Sequence, residues 1–210
     1  MNFFGHAAIA SWQTDFTPGV ALGAMLPDFA NMCGARLAGA RDPDITRGID
    51  LHHKTDAAFH TAPVVTGLMR ELYDAVTARG CARGPARATS HIGMELLLDG
   101  ALLDDAGFRD AYERALAPDL AEAGGVAWRE ADGDARFARL LARLRAYGVP
   151  EDLRAAASVA HRLARMLADR PLLAPSPADL AAMTAALDAF AARITVAAPS
   201  VMRAMRAALA

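Results

Sequence analysis

In the stretch Gly48–His60, GIDLHHKTDAAFH, the residues His52, Asp56 and His60 recur at intervals of four. A helix stacks such residues along one face, because four residues rise about 6 Å and turn only ~40° past a full turn. The pattern returns in SHIGMELLLDG, where His91, Glu95 and Asp99 are again four apart. Read as helices, both segments carry a ladder of ionisable residues on one face. Neighbours one turn apart can share an ion, whereas His52 and His60 would stand roughly 12 Å apart along the axis. One ion does not reach both histidines, so the ladder points to more than one metal, with Asp56 as the bridge between them.

Ala, Leu, Arg and Met are plentiful while Ile, Thr, Tyr and Trp are scarce, which favours helix over strand through side-chain entropy. The expectation is an all-α fold: a single-domain multi-helix bundle over residues 1–210, with a metal-ligand half at about 1–105 and scaffold helices at about 106–210. Apolar periodicity and Pro/Gly punctuation predict helices at Asn2–Trp12 and at Val20–Leu26, the latter stopped by Pro27-Asp28. Further helices are predicted from Asp42-Pro43 to Thr61, from Pro63 to Arg79 and from Ala86 to Leu103. Beyond these, Gly107–Ala117, Asp134–Tyr147, Glu151–Asp169 and Ala178–Val196 keep helical periodicity. Ser176 and Asp179 form a capping box around Pro177, Val126–Gly133 reads as a loop, and Pro199 interrupts or kinks the last helix.

A net charge of −2 argues against a dedicated nucleic-acid binder, whose phosphate contacts need a concentrated basic face. Cys33 and Cys81 are too few for a disulfide framework and match no zinc knuckle, so a reducing, cytoplasmic setting is expected. The opening MNFFGHAAIASW lacks the basic n-region of a signal peptide. No apolar run reaches the ~18 to 20 residues of a membrane span, so no stable membrane insertion is expected.

Five of the six histidines lie in the first 91 residues, and Asp28, Asp56, Glu95 and Asp99 lie with them in the first 99. Neutral imidazole and carboxylate are ligands for Zn, Mn or Fe, and a mixed set does not choose among them. The competing explanation is a pair of solvated faces whose acids pair with Lys54 or Arg47. Helical phase leaves His52 and His53 as alternatives, since His53, Asp56 and His60 also share a face. His161, in the Arg-rich HRLARMLADR, reads as a surface residue. Arg47 and Lys54 are also candidates to steer a phosphate.

MNFFGHAAIA, LGAMLPDF and GIDLHHKTDAAFHTAP together resemble the acyl carrier protein phosphodiesterases, with a weaker echo in RMLADRPLL. That resemblance implies an HD-domain-like helical metallohydrolase that releases the phosphopantetheine arm from a serine of acyl carrier protein. It puts His6, Asp28, His52 and Asp56 at the family's polar positions and favours His52 over His53. The pattern departs where the family has Trp-Asp-His: here Glu95 stands near the expected Asp and Leu96 where the His would fall. His-x-x-x-Glu and LGAMLPDF are also similar to the zinc-dependent phospholipase C group, which implies a phospholipase-C-like site of up to three metals between helices of the N-terminal half.

The expected chemistry is hydrolysis of a phosphodiester by two or three ions of Zn, Mn or Fe. Asp56 would bridge them, with His52, His60, His91, Glu95 and Asp28 as terminal ligands. His6 would be a further ligand or the acid to the leaving alkoxide. Asp99 would orient a ligating imidazole. The substrate would be the arm of a carrier protein, with the Arg79–Arg87 loop as its basic rim, or a small or lipid phosphodiester. The alternatives are an HD-like di-iron oxygenase and a non-catalytic helical metal-binding or interaction module.

Overall fold

A computed structural model describes residues 1–209. In chain order the helices are α1 (Phe3–Ala10), α2 (Pro18–Cys33), α3 (Pro43–Thr61), α4 (Pro63–Thr77), α5 (Arg83–Ala88), α6 (Met94–Leu102), α7 (Ala106–Ala115), α8 (Leu120–Ala123), α9 (Gly133–Tyr147), α10 (Ala156–Leu167) and α11 (Pro177–Leu209). A π-helical turn, Thr89–Gly93, joins α5 to α6, and a 3-10 turn, Glu151–Arg154, precedes α10. The fold is all-α, as composition implies. The segment read as a loop around Trp128 contributes a short strand, β2 (Ala127–Trp128), antiparallel to β1 (Leu37–Gly39).

Several helix starts follow the caps written in the sequence. Asp42 accepts from the backbone N–H groups of Asp44 and Ile45, with Pro43 in the first turn of α3. Asp105 does the same for Gly107 and Phe108 in α7. The box at α11 closes reciprocally: Asp179 N–H donates to Ser176 Oγ at 3.1 Å, and Ser176 N–H donates to Asp179 Oδ2 at 2.9 Å.

The chain divides into two compact units, each drawing on both halves of the sequence. The first comprises Met1–Ala57 and Leu103–Pro150. Here α1 is buried along its whole length and packs with α2 and α7. Phe3, Phe4, Phe29 and Tyr112 form its aromatic centre, with ring centroids 5.6–5.9 Å apart. The sequence predicts that α2 stops at Pro27, but it runs on to Cys33 with Pro27 inside. A proline costs the Gly23 carbonyl its helical donor. Continuing the helix buries Phe29 and Ala30 beyond the break, and that packing outweighs the lost bond.

Two glycines bring α2 and α3 into backbone contact. A Cβ at Gly23 would lie 2.9 Å from Gly48 Cα and would overlap the Ile45 carbonyl. A Cβ at Gly48 would lie 2.8 Å from Gly23 Cα and would overlap the Val20 carbonyl. Neither backbone can yield as a flexible side chain does.

The second unit comprises Ala58–Leu102 and Glu151–Ala210. Its axis is α11, which packs on α4, α6 and α10 through Met183, Leu187, Phe190, Ile194, Val201 and Met205. These recur at helical spacing, as a core-facing stripe does. The helix passes Pro199 without ending, although its sequence predicts an interruption or kink there. It also corrects the reading of apolar runs: an 18-residue window of mean hydropathy 1.4 makes α11 long and apolar enough, by length and composition, to cross a membrane. Alanine dilutes the pattern enough to hide that window by eye.

Gly23→Ala and Gly48→Ala test the crossing. Each gains about 1 kcal/mol of helix propensity but overpacks two backbones, so a net loss of at least about 2 kcal/mol is expected in urea titration. A stabilised variant would refute the contact. Asp179 accepts from Ala82 N–H at 2.7 Å and from Ser176, and these hydrogen bonds lower its pKa to about 2. Its contribution is therefore complete above the ordinary carboxylate range and is lost as pH falls through about 2. Asp179→Asn should flatten that acid arm of the stability curve, measured by melting temperature against pH.

Candidate functional site

Two groups of ionisable residues have metal-ligand geometry, one within each unit. In the first unit they are His6 on α1, Asp28 on α2 and His52 on α3, which offer one ligand atom each, all within 4.8 Å of one another. The helix crossing explains their meeting, since Asp28 and His52 each lie about one turn beyond the glycine of their own helix. His6 is 1% exposed and His52 6%.

The tautomer of each imidazole follows from its partner. His52 Nδ1 lies 2.9 Å from the Ala24 carbonyl and His6 Nε2 lies 3.0 Å from the Met1 carbonyl. A carbonyl only accepts, so these nitrogens carry the hydrogens, and the lone pairs fall on His52 Nε2 and His6 Nδ1. His6 Nδ1 is buried with no hydrogen-bond partner. Burial, with the neighbouring His52 and the terminal ammonium, pushes His6 well below the ordinary imidazole range, and burial lowers His52 too. Both rings are neutral near neutral pH, the form that ligates metal. They stack at 4.0 Å between centroids. The donor set of two imidazoles and one carboxylate, with a buried lone pair facing no hydrogen, fits a divalent ion.

Asp56 belongs to neither group of three. Its half-exposed carboxylate accepts from the Met1 ammonium at 2.9 Å and lies 3.8 Å from His6 Nε2.

In the second unit His60, His91 and Glu95 also offer ligand atoms within 4.8 Å of one another. His60 is in the last turn of α3, His91 in the π turn, and Glu95 in the first turn of α6. Within the π turn Thr89 Oγ1 donates to the Pro85 carbonyl and Ser90 Oγ to the Arg87 carbonyl. Such turns widen the ladder and often mark functional positions. Glu95 Oε1 lies 3.1 Å from His91 Nε2 and 3.6 Å from His60 Nε2. Burial alone would raise the Glu95 carboxyl, but the hydrogen bond and charge of His91, with His60 beside it, hold it below its ordinary value. Glu95 is buried while the His91 side chain is 52% exposed, so this group opens to solvent on its imidazole side.

The structure thus gathers six of the residues singled out from sequence. The ladder itself divides: His52 stands in the first group and His60 in the second. His53, the alternative to His52, is exposed, with its ring edge-on to His52 at 5.4 Å. Asp99 is fully buried one turn past Glu95 and outside the group of three. Arg47 pairs with Asp15 and, at 3.1 Å, with Asp44. With Lys54, Gln13, Val20, Asp50 and Leu51 it lines a cavity of about 210 Å³ that none of those six residues lines. His161 is a surface residue bonded to the Ala157 carbonyl. The carbonyls of Ala24 and Met1 and the terminal ammonium escape sequence reasoning, because backbone groups carry no residue-type signal.

No family model matches the chain, and neither a curated protein nor a solved structure matches it significantly.

Each group can be tested separately by metal content. Asp28→Asn and Glu95→Gln should each lower the bound-ion count of protein purified with Zn or Mn, read by elemental analysis. Saturating ion at ~100 times Kd should add about 2.7 kcal/mol of stability, roughly 5–10 °C in melting temperature. Wild-type protein that gains neither ion nor melting temperature would rule out both groups as metal sites.

Proposed function

We propose that the protein is a metal-dependent phosphodiester hydrolase with an HD-domain-like, phospholipase-C-like helical fold. The observation that carries this reading is the group His60, His91 and Glu95: two imidazoles and a carboxylate, the set used by catalytic zinc sites, with one side open to solvent. A second support comes from the N-terminal motifs. The residues that the resemblance to acyl carrier protein phosphodiesterases singles out include His6, Asp28 and His52, the three within 4.8 Å in the first unit.

A bound Zn, Mn or Fe ion supplies Lewis acidity toward phosphoryl oxygens and acidifies water to near-neutral pKa. The protein's own residues do the rest. Glu95, held ionised by His91 and His60, fixes the carboxylate edge of its group. His91, the most exposed of the three, lies at the rim where a phosphate would enter. In the first group the carbonyls of Ala24 and Met1 fix both imidazoles with their lone pairs available. Asp56 supplies a half-exposed negative charge beside His6 in that first group. The substrate class is a phosphodiester, either the phosphopantetheine arm of an acyl carrier protein or a small or lipid phosphodiester.

The test is hydrolysis of bis-para-nitrophenyl phosphate by metal-free protein reconstituted with Zn, Mn or Fe. At least one ion should restore turnover, and Glu95→Gln should lower kcat/KM by more than the 10–100-fold typical of losing an outer contact to a ligand. Inactivity with every ion would refute the proposal. Iron loading with a visible absorption band and no hydrolysis would favour the oxygenase reading instead.

A further inference from the structure

We propose that the second unit carries a docking surface for anionic lipid membranes, formed by α5 with its preceding loop and by the 168–175 loop, and tipped by Leu172. Leu172 is 91% exposed, at the tip of a loop closed by backbone hydrogen bonds. Arg170 N–H donates to the Leu167 carbonyl at 2.9 Å, and the N–H groups of Leu173 and Ala174 both donate to the Arg170 carbonyl at 2.8 Å. The loop also presses on α5. A Cβ at Gly84 would overlap the Leu172 carbonyl and would lie 3.4 Å from Leu173 Cδ2. Asp179 pins both segments, accepting from Ala82 N–H just before α5 and from Ser176 just after the loop.

The surroundings of this tip are basic. Residues 78–88 contain Arg79, Arg83 and Arg87 and no acid, and residues 163–175 contain Arg165 and Arg170 against Asp169 alone. All five arginines are exposed. Arg83, Arg87, Arg165 and Arg170 enter no ion pair among the described residues. The whole chain carries −2, so the concentration is local and not a general basicity.

A protein partner would be met by an apolar patch with a well-packed centre. A protruding leucine on a loop that packs against the arginine-bearing α5, with Met166 also exposed in the preceding turn, fits a bilayer interface instead: the arginines meet lipid phosphates while the leucine enters the headgroup–acyl boundary. The contact is peripheral and reversible, and it involves none of the candidate metal ligands.

Co-sedimentation of the full chain with vesicles tests this. The protein should bind vesicles in which phosphatidylglycerol replaces about a third of the phosphatidylcholine, and should not bind phosphatidylcholine alone. Binding should weaken with added salt, by about fivefold for each of Arg83→Gln and Arg170→Gln, and by a similar factor for Leu172→Asp. Since these side chains are exposed, circular dichroism and melting temperature should stay at wild-type values. Metal-free protein should bind equally well, which separates this surface from the hydrolase reading. Equal binding to neutral and anionic vesicles, or binding unchanged in the Leu172→Asp, Arg83→Gln and Arg170→Gln variants, would overturn the proposal. So would capture of polyglutamate by wild type but not the arginine variants, with no vesicle binding.

Discussion

The first unit depends on a contact in which no side chain takes part. Gly23 and Gly48 let α2 and α3 cross backbone to backbone, closer than any residue with a Cβ allows. Two glycines inside helices cost roughly 1 kcal/mol each in propensity, so this crossing is held by what it makes possible. One turn beyond it, His52 reaches the Ala24 carbonyl at 2.9 Å. The neighbouring Pro27 has already removed the helical donor of Gly23, so the ladder of α2 is loosened where an imidazole comes to donate. The crossing, the proline and the histidine thus act as one device that fixes the azimuth and tautomer of His52.

The same logic separates ligand from bystander. A buried histidine whose two nitrogens are both satisfied is a core residue. One whose hydrogen is taken by a carbonyl, with the remaining lone pair facing no donor, is prepared for a cation. His6 is in the second state, with Nε2 on the Met1 carbonyl and Nδ1 buried without a hydrogen-bond partner. Burial also removes the alternative in which the ring simply protonates, because a charged imidazole there would be desolvated.

Much of this was legible in the sequence, and the parts that were not have physical reasons. Helical spacing and the dearth of β-branched residues give the fold class, and capping residues such as Asp42, Asp105 and the Ser176–Asp179 box give helix starts. The ligand residue types could be chosen from the polar residues of the first 99 positions. Their grouping could not, because periodicity relates residues along one helix and is silent on which helices meet. Hence the ladder suggested that His52, Asp56 and His60 act together, whereas His52 finds His6 and Asp28, and His60 finds His91 and Glu95. Phase could not choose between His52 and His53. Pro27 and Pro199 read as stops because proline is costly in isolation, yet the apolar faces on both sides of each are buried and carry the helix through.

The two groups share a donor set but differ in what balances the carboxylate, and that difference bears on what an ion would do in each. Glu95 has His91 at 3.1 Å and His60 at 3.6 Å, and these neighbours hold its buried carboxyl below its ordinary value. That group is open to solvent on its imidazole side. In the first group the imidazole hydrogens are committed to the Ala24 and Met1 carbonyls, and both rings resist protonation. A cation within reach of His6, Asp28 and His52 would take one lone pair from each imidazole, which a single proton cannot do. Chemistry that must admit and release a phosphate therefore fits the open group, and permanent retention of an ion fits the buried one.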